Sequence, residues 1–295
     1  MSSLKRKIKY LFKPMPDPAN GVITGEKIQL LCDHFIGNEK QLSKNPLLWR
    51  KKYKWKKFEH LNSPFSNRSR VFCYTEVIWD MDLLIEKLKW LKNPFLLVFH
   101  NSDVSFEKEH LKLFEALPNL KKIFSKNATV RDNRVTPLPL GIANTPFAHG
   151  QLSVINHVRE RKFKKDNLVY FNFSIQTNNE KREECYQKIS RKGIEFQPGK
   201  NFEDYIQSLS TYKFAICPAG SGLDTYRFWE SLYLRVVPIC KRNTVAEYFS
   251  RDFPVLLLDD WADLDVEKLE NAYQSFSWNN QEKLDMGYYD ELLTL

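Results

Sequence analysis

The densest run of chemically capable residues lies between Cys217 and Cys240, where the chain reads CPAGSGLDTYRFWESLYLRVVPIC. Gly220, Ser221 and Gly222 give the preceding strand an exit without bulky side chains, and Asp224 or Thr225 can cap the helix that follows. Free backbone N–H groups at such a helix start attract phosphate. Along the helix Arg227 and Glu230 stand three residues apart and share a face, whereas Phe228 and Leu232 face the core. One patch can therefore offer a cation to a phosphate and a carboxylate to a pair of ribose hydroxyls, as a nucleotide requires. The same glycine turn, acidic cap and Arg–Glu pair would also make a stable helix–strand junction, and spacing alone does not separate the two readings. Neighbouring motifs fail. Thr225 replaces the third glycine of GxGxxG, Ala219 and Leu223 stand where GxSxG needs glycine, and no GxxxxGK[ST] occurs.

These groups need a strand–turn–helix frame, and the chain repeats that frame along its length. Apolar runs predict strands at 28–32, 71–74, 95–99, 122–124 and 135–138, with helices over 82–91 and 106–116. A second series follows the polar stretch His157 to Asn167. It has strands at 168–173, 214–217, 236–239 and 255–258, and helices at 180–191, 202–209 and 225–234. The fold class expected is α/β, with two βα domains at 1–155 and 156–295 joined near residues 151 to 166. Open parallel sheets bind ligands beyond the carboxyl ends of their strands. The loops there are polar: HNSD (His100 to Asp103), PLGIANTPFAHG (Pro139 to Gly150) and SIQTNNEKR (Ser174 to Arg182).

Composition narrows the class. With 42% hydrophobic and 14% aromatic residues the chain is globular rather than disordered. The net charge of +9 gathers in KKYKWKK (Lys51 to Lys57) and RERKFKK (Arg159 to Lys165), which serve as solvated faces or meet anionic partners. The first of these runs interleaves aromatics with lysines as a single-strand binder does. Yet no RNP, KH or zinc-finger pattern accompanies it, so no nucleic acid partner is expected. Cys32, Cys73, Cys185, Cys217 and Cys240 occur singly, which argues against a disulfide framework and a zinc site and for a reducing compartment. The start lacks the apolar core of a signal peptide and no apolar run reaches 18 residues. A cytoplasmic protein is expected, with a basic, aromatic edge able to rest on a membrane. The sequons at Asn67, Asn127 and Asn172 then carry little meaning.

The segment FAICPAGSGLDTYRFWESLYLRVVPI resembles the donor-site motif of exostosin-type glycosyltransferases, in which CP.G.G.D..R.WE.L..G.IPI runs from strand to strand. The match covers Phe214 to Ile239, with Cys217, Pro218, Gly220, Gly222, Asp224, Arg227, Trp229, Glu230, Pro238 and Ile239 in register; Arg235 stands where glycine is usual. NLVYFNFSIQTNNEKR is similar to the first strand and loop of the donor domain in this group and in fucosyltransferase-like enzymes; there the resemblance brings Arg182 to the diphosphate and counts Asn178, like Asp224 of the motif, among the donor-binding residues. PLPLGIAN, the later His149–Gly150 pair and HNSD look like amino-domain loops of related members, with Asn144 and His149 on the acceptor side.

The resemblance implies a GT-B architecture, two Rossmann-like domains facing across a cleft, with helices from Asp265 onward crossing back to the first. It implies transfer from a nucleotide sugar, by default a UDP-sugar, to a glycan or lipid-linked glycan, inverting and without metal or other cofactor. Gly220, Ser221, Gly222, Arg182 and Arg227 would hold the diphosphate and Glu230 the ribose. Inversion needs a general base: Asp103 and His100 come first, then Glu76 and His149. Asp103 equally reads as a helix cap. Asp80-Met81-Asp82 resembles the metal-holding DxD of another glycosyltransferase fold, but capping explains it and Asp263-Leu264-Asp265 without metal. Nucleic-acid binding and non-catalytic glycan or nucleotide binding are the alternative readings.

Overall fold

The computed structural model describes residues 16–36 and 69–294; the KKYKWKK run and the Asn67 sequon lie outside them. The chain forms two compact units, of which one ends at Leu138 and resumes at Asp285, and the other spans Pro139–Leu284.

In the first unit β1 (His34–Ile36), β2 (Ser69–Tyr74), β3 (Phe95–His100), β4 (Leu120–Ser125) and β5 (Val135–Pro137) form a parallel sheet in sequence order. Alternation along the strands sends Phe72, Tyr74, Leu96, Val98 and Phe124 to one core and Val71, Cys73, Leu97, Phe99 and Ile123 to another. Helices Met81–Leu88 and Lys112–Ala116, which connect successive strands, both cover the second of these faces. Right-handed crossovers that step one way along a sheet stack their helices on one side, so the other face needs separate cover. It comes from helix Gly25–Leu31, ahead of β1, and from helix Met286–Leu292, whose Met286 and Tyr289 pack with Ile28 and Leu31. Arg70 ties this helix to the sheet through Asp290 at 2.7 Å.

Two expectations change here. Residues 28–32 belong to a helix rather than a strand: Thr24 caps it by accepting from the Lys27 N–H, and every residue in it is buried, so its sequence lacks the polar face that would mark a helix. The return to the first unit starts at Asp285, not Asp265, because helix Val266–Ser275 buries Leu269 in the second unit's core.

In the second unit β6 (Asn167–Tyr170), β7 (Tyr212–Ile216), β8 (Val237–Lys241) and β9 (Leu256–Leu258) are again parallel and in order. Val169, Phe214, Ile216, Val237 and Ile239 pack against Cys185 and Ile189 of helix Asn179–Ser190. Helices Leu152–Arg161, Phe202–Ser210 and Tyr226–Tyr233 pack on one another. The division therefore falls at Pro139 rather than 156: Ile155 and Val158 of helix Leu152–Arg161 are buried, and the helix they anchor packs on second-unit neighbours. Helix Thr244–Phe249, between β8 and β9, is an addition to the expected elements.

Helix Tyr226–Tyr233 ends in a way that explains a departure from the motif. Arg235 adopts φ 54°, the Val236 N–H reaches the Ser231 carbonyl at 2.8 Å and the Arg235 N–H reaches that of Leu232 at 3.1 Å. This is the left-handed helix stop that favours glycine. All five cysteines are free and buried, and no helix among the described residues is long and apolar enough to cross a membrane.

Candidate functional site

The carboxyl ends of β6 and β7 border a cavity of about 900 Å³ within the second unit. Helix Tyr226–Tyr233 starts beside it, capped by Thr225, whose hydroxyl accepts from the Phe228 N–H at 3.4 Å. Phe228, Trp229 and Leu232 go into the core, and Arg227 and Glu230 line the cavity. Arg227 donates through Nε to the Tyr205 hydroxyl at 3.1 Å and through Nη1 to the Asn172 carbonyl. Tyr205 in turn donates to Glu230 Oε2 at 2.6 Å. Arg182 reaches the cavity from helix Asn179–Ser190, with Nε on the Ala219 carbonyl at 3.1 Å and Nη1 on that of Ser174 at 2.7 Å. Backbone carbonyls and a phenol thus hold both guanidiniums in place. In each, Nη2 has no protein acceptor among the described residues.

The charges are unevenly balanced. Burial, with Arg227 nearby, pulls Arg182 down to about 10, which leaves it a cation at neutral pH. Burial works against the Arg227 charge too, yet Tyr205, Cys217 and Glu230 hold its pKa above the ordinary value. Glu230, 3% exposed, is pushed up by burial against the opposing pull of the Tyr205 hydroxyl and Arg227. Two fixed cations beside one carboxylate are an arrangement able to take an anion and, next to it, a hydroxyl donor. Tyr170, Phe173, Phe202 and Tyr226 add flat apolar wall. His149 also lines the cavity, stacked on Phe147 at 5.6 Å and flanked by the tilted ring of Tyr226 at 5.2 Å. Burial lowers its pKa, so the ring is neutral at pH 7, and no hydrogen bond to a described residue engages its nitrogens.

Among solved structures the chain is similar to OtsA in its apo form, with 10% identity and a TM-score of 0.44. It is also similar to a UDP-forming α,α-trehalose-phosphate synthase from Burkholderia vietnamiensis, at 8% and 0.43. Both alignments cover 98% of this chain and 83% of the other. At such scores the likeness carries no weight for what this chain does. No protein-family model matches the chain, and no curated protein matches it in sequence. The exostosin-type resemblance is therefore carried by Phe214–Ile239 and its fainter companions alone.

The glycine turn differs from expectation. Gly220, Ser221 and Gly222 do not line the cavity; the Gly220 N–H closes on the Gly222 carbonyl at 3.1 Å. A Cβ on Gly220 would lie 3.1 Å from Arg182 Nη2, so this glycine makes room for the arginine rather than for a ligand. Asn178 is likewise internal: it caps its own helix through Lys181 N–H and donates to the Gly220 carbonyl at 2.9 Å. Asp224, only 6% exposed, clasps the motif from inside, with Oδ2 accepting from the Trp229 indole and the Leu140 N–H, each at 2.7 Å. Asn144 contributes its carbonyl to the Phe147 N–H; a Cβ on Gly150 would come within 2.1 Å of that oxygen, so only glycine fits there.

His100, Asp103 and Glu76 belong to the first unit. His100 is fully buried, its Nδ1 accepting from the Asn101 N–H at 2.7 Å, a position suited to fixing a loop. Asp103 pairs with the buried Lys126 at 2.9 Å rather than capping a helix, and Glu76 is half-buried. Asp80 caps helix Met81–Leu88 at the Leu83 N–H, Asp263 completes a capping box with Asp260, and Asp265 caps helix Val266–Ser275. Sequence reading missed Tyr205, Tyr170 and Asn172. Tyr205 sits in an ordinary amphipathic helix, and its contacts lie 22 and 25 residues away, beyond any local signal.

Proposed function

We propose that the chain is a glycosyltransferase of GT-B type that moves a sugar from a nucleoside diphosphate sugar, by default a UDP-sugar, to a glycan or lipid-linked glycan. The observation that carries this reading is the pairing of Arg182 and Arg227, each anchored and each with Nη2 uncommitted, beside the Glu230 carboxylate in one cavity. A diphosphate answers the cations, a ribose diol answers the carboxylate, and the aromatic wall suits a base. The cavity's volume of about 900 Å³ is adequate for such a ligand.

In the proposed inverting reaction the acceptor oxygen bonds to the anomeric carbon as that carbon's bond to the diphosphate breaks. The electron pair leaves with the nucleoside diphosphate, whose charge the two arginines offset without metal. The acceptor proton goes to His149, neutral and unengaged at the cavity wall. The absence of a described membrane-crossing helix is compatible with a cytoplasmic enzyme acting at a membrane surface.

The test is a thermal-shift panel of nucleoside diphosphates and nucleotide sugars, with and without divalent metal, on wild type and Glu230→Gln. Selective, metal-independent stabilisation by one base, weakened in the variant, supports the reading. A well-folded protein that responds to no nucleotide refutes it.

A further inference from the structure

Arg227 and Glu230 stand three apart on one helix face, the spacing at which opposite charges pair directly. They make no ion pair with each other; the Tyr205 hydroxyl lies between them, accepting from Arg227 Nε at 3.1 Å and donating to Glu230 Oε2 at 2.6 Å. The phenol also lies under the guanidinium, 5.1 Å from ring centroid to cation, with Tyr170 as a second ring at 5.7 Å. All four side chains line the same cavity.

We propose that Tyr205 is the positioning residue of this site, a hydroxyl spacer that keeps its cation and its carboxylate from neutralising each other and so leaves both facing a ligand. The proposal rests on the reading of the cavity as a nucleoside diphosphate site and adds how that site stays open. A hydroxyl is both donor and acceptor. Placed between a guanidinium and a carboxylate, it satisfies one atom of each. Glu230 keeps Oε1 and Arg227 keeps Nη2 for a ligand that carries a hydroxyl donor and an anionic oxygen together, as a ribose diphosphate does. In a phenylalanine variant Arg227 Nε and Glu230 Oε2 each lose that partner while Arg227 Nη1 keeps the Asn172 carbonyl, and the two freed atoms, on one helix face, are left to turn to each other. Direct pairing consumes the ligand-facing atoms.

The alternative, that Tyr205 merely packs, makes opposite predictions. Glu230 faces Tyr205 and Arg227, with Tyr170 and Cys217 as the other titratable groups coupled to it. The Tyr205 hydrogen bond and Arg227 both lower its pKa against burial. If Tyr205→Phe simply deletes a hydrogen bond, Glu230 titrates at a higher pH than in wild type. If Arg227 closes onto Glu230, a full opposite charge at contact distance replaces a neutral phenol, and Glu230 titrates lower.

The experiment combines ¹³C carboxyl titration by NMR with calorimetry of UDP and of inorganic pyrophosphate, on wild type, Tyr205→Phe and Tyr205→Phe/Glu230→Gln. Tyr205→Phe keeps the ring, and its melting curve reports whether the fold is retained. The expected result is a downward shift of Glu230 and a loss of UDP affinity of roughly 10- to 100-fold, the size of one hydrogen bond to a charged group. Pyrophosphate binding should return in the double variant, where no carboxylate competes for Arg227. An upward shift of Glu230, or a double variant that binds pyrophosphate no better than the single one, overturns the proposal. Wild type binding neither UDP nor pyrophosphate would refute the nucleotide reading instead, while the titration, which uses no ligand, still decides the role of Tyr205.

Discussion

Replacing Arg227 by methionine should leave Glu230 as a carboxylate at 3% exposure with a phenol as its remaining partner, and the consequence is a stability that depends on pH. A buried carboxylate stripped of its cation takes up a proton rather than stay charged. The cost of holding that proton is bounded by the distance between the ordinary glutamate value of about 4.3 and the ambient pH, at about 1.4 kcal/mol per unit. At pH 7 the ceiling is about 3.7 kcal/mol, and at pH 5 about 1 kcal/mol. The sign follows from linkage. A carboxyl whose pKa is higher folded than unfolded binds more protons in the folded state. Stability therefore falls as pH rises from the unfolded value to the folded one, and is level above it. Beneath this lies a pH-independent loss of roughly 1–3 kcal/mol, because the Asn172 carbonyl and the Tyr205 oxygen lose their donor. Urea unfolding at pH 5, 6, 7 and 8 separates the two parts. Adding Glu230→Gln should remove the pH-dependent part, since a neutral amide still accepts from Tyr205. Equal destabilisation at pH 5 and pH 8, or no recovery in the double variant, would refute the account of Arg227 as the counter-charge of a buried anion.

Asp224→Ala should destabilise the protein by about 1–3 kcal/mol in denaturant titration through the orphaned, buried Trp229 indole N–H, with a smaller addition from the part-buried Leu140 N–H; Asp224→Asn, which keeps an acceptor oxygen, should lose under half as much. Arg235→Gly should stabilise by roughly 0.5–1 kcal/mol, because relief of the left-handed conformation exceeds the added freedom of the unfolded chain. A rise in the urea midpoint without a change in slope is the signature. The His149 imidazole should titrate below the ordinary value of about 6.5 in histidine NMR, and its contribution to stability should be intact above that pH and decline as pH falls towards the folded value. UDP should perturb its ring resonances.

The strands were legible where their residues are buried: β2 to β5 and β6 to β9 each coincide with an apolar run, because most of their residues lie in the core even where Lys121 of β4 and Asn167 of β6 reach solvent. The same rule failed at helix Gly25–Leu31, which is buried all round and so carries no amphipathic period. It failed again at helix Leu152–Arg161, whose two buried residues lie among charges that read as a linker. Within the site, Arg227 and Glu230 were legible because a helix fixes their common face from spacing alone. Tyr205 and Asn172 were not, since which helix and which loop close over that face depends on tertiary packing.

The motif around Gly220 divides its labour differently from what its composition suggests. A small-residue turn ahead of a helix reads as a phosphate cradle, yet here the Gly220 N–H closes the turn and Asp224 binds the turn to Trp229, itself wholly buried against Phe249 and Phe253. Those residues set where the helix begins. The groups left facing the cavity are side chains anchored by backbone carbonyls: Arg182 through Ser174 and Ala219, Arg227 through Asn172. An anion held by two arginines fixed in this way meets charge whose placement was settled when the unit folded, so little rearrangement is required on binding. For that reason a loss of the turn should appear first as a loss of stability, and a loss of either arginine's anchors first as a loss of ligand affinity.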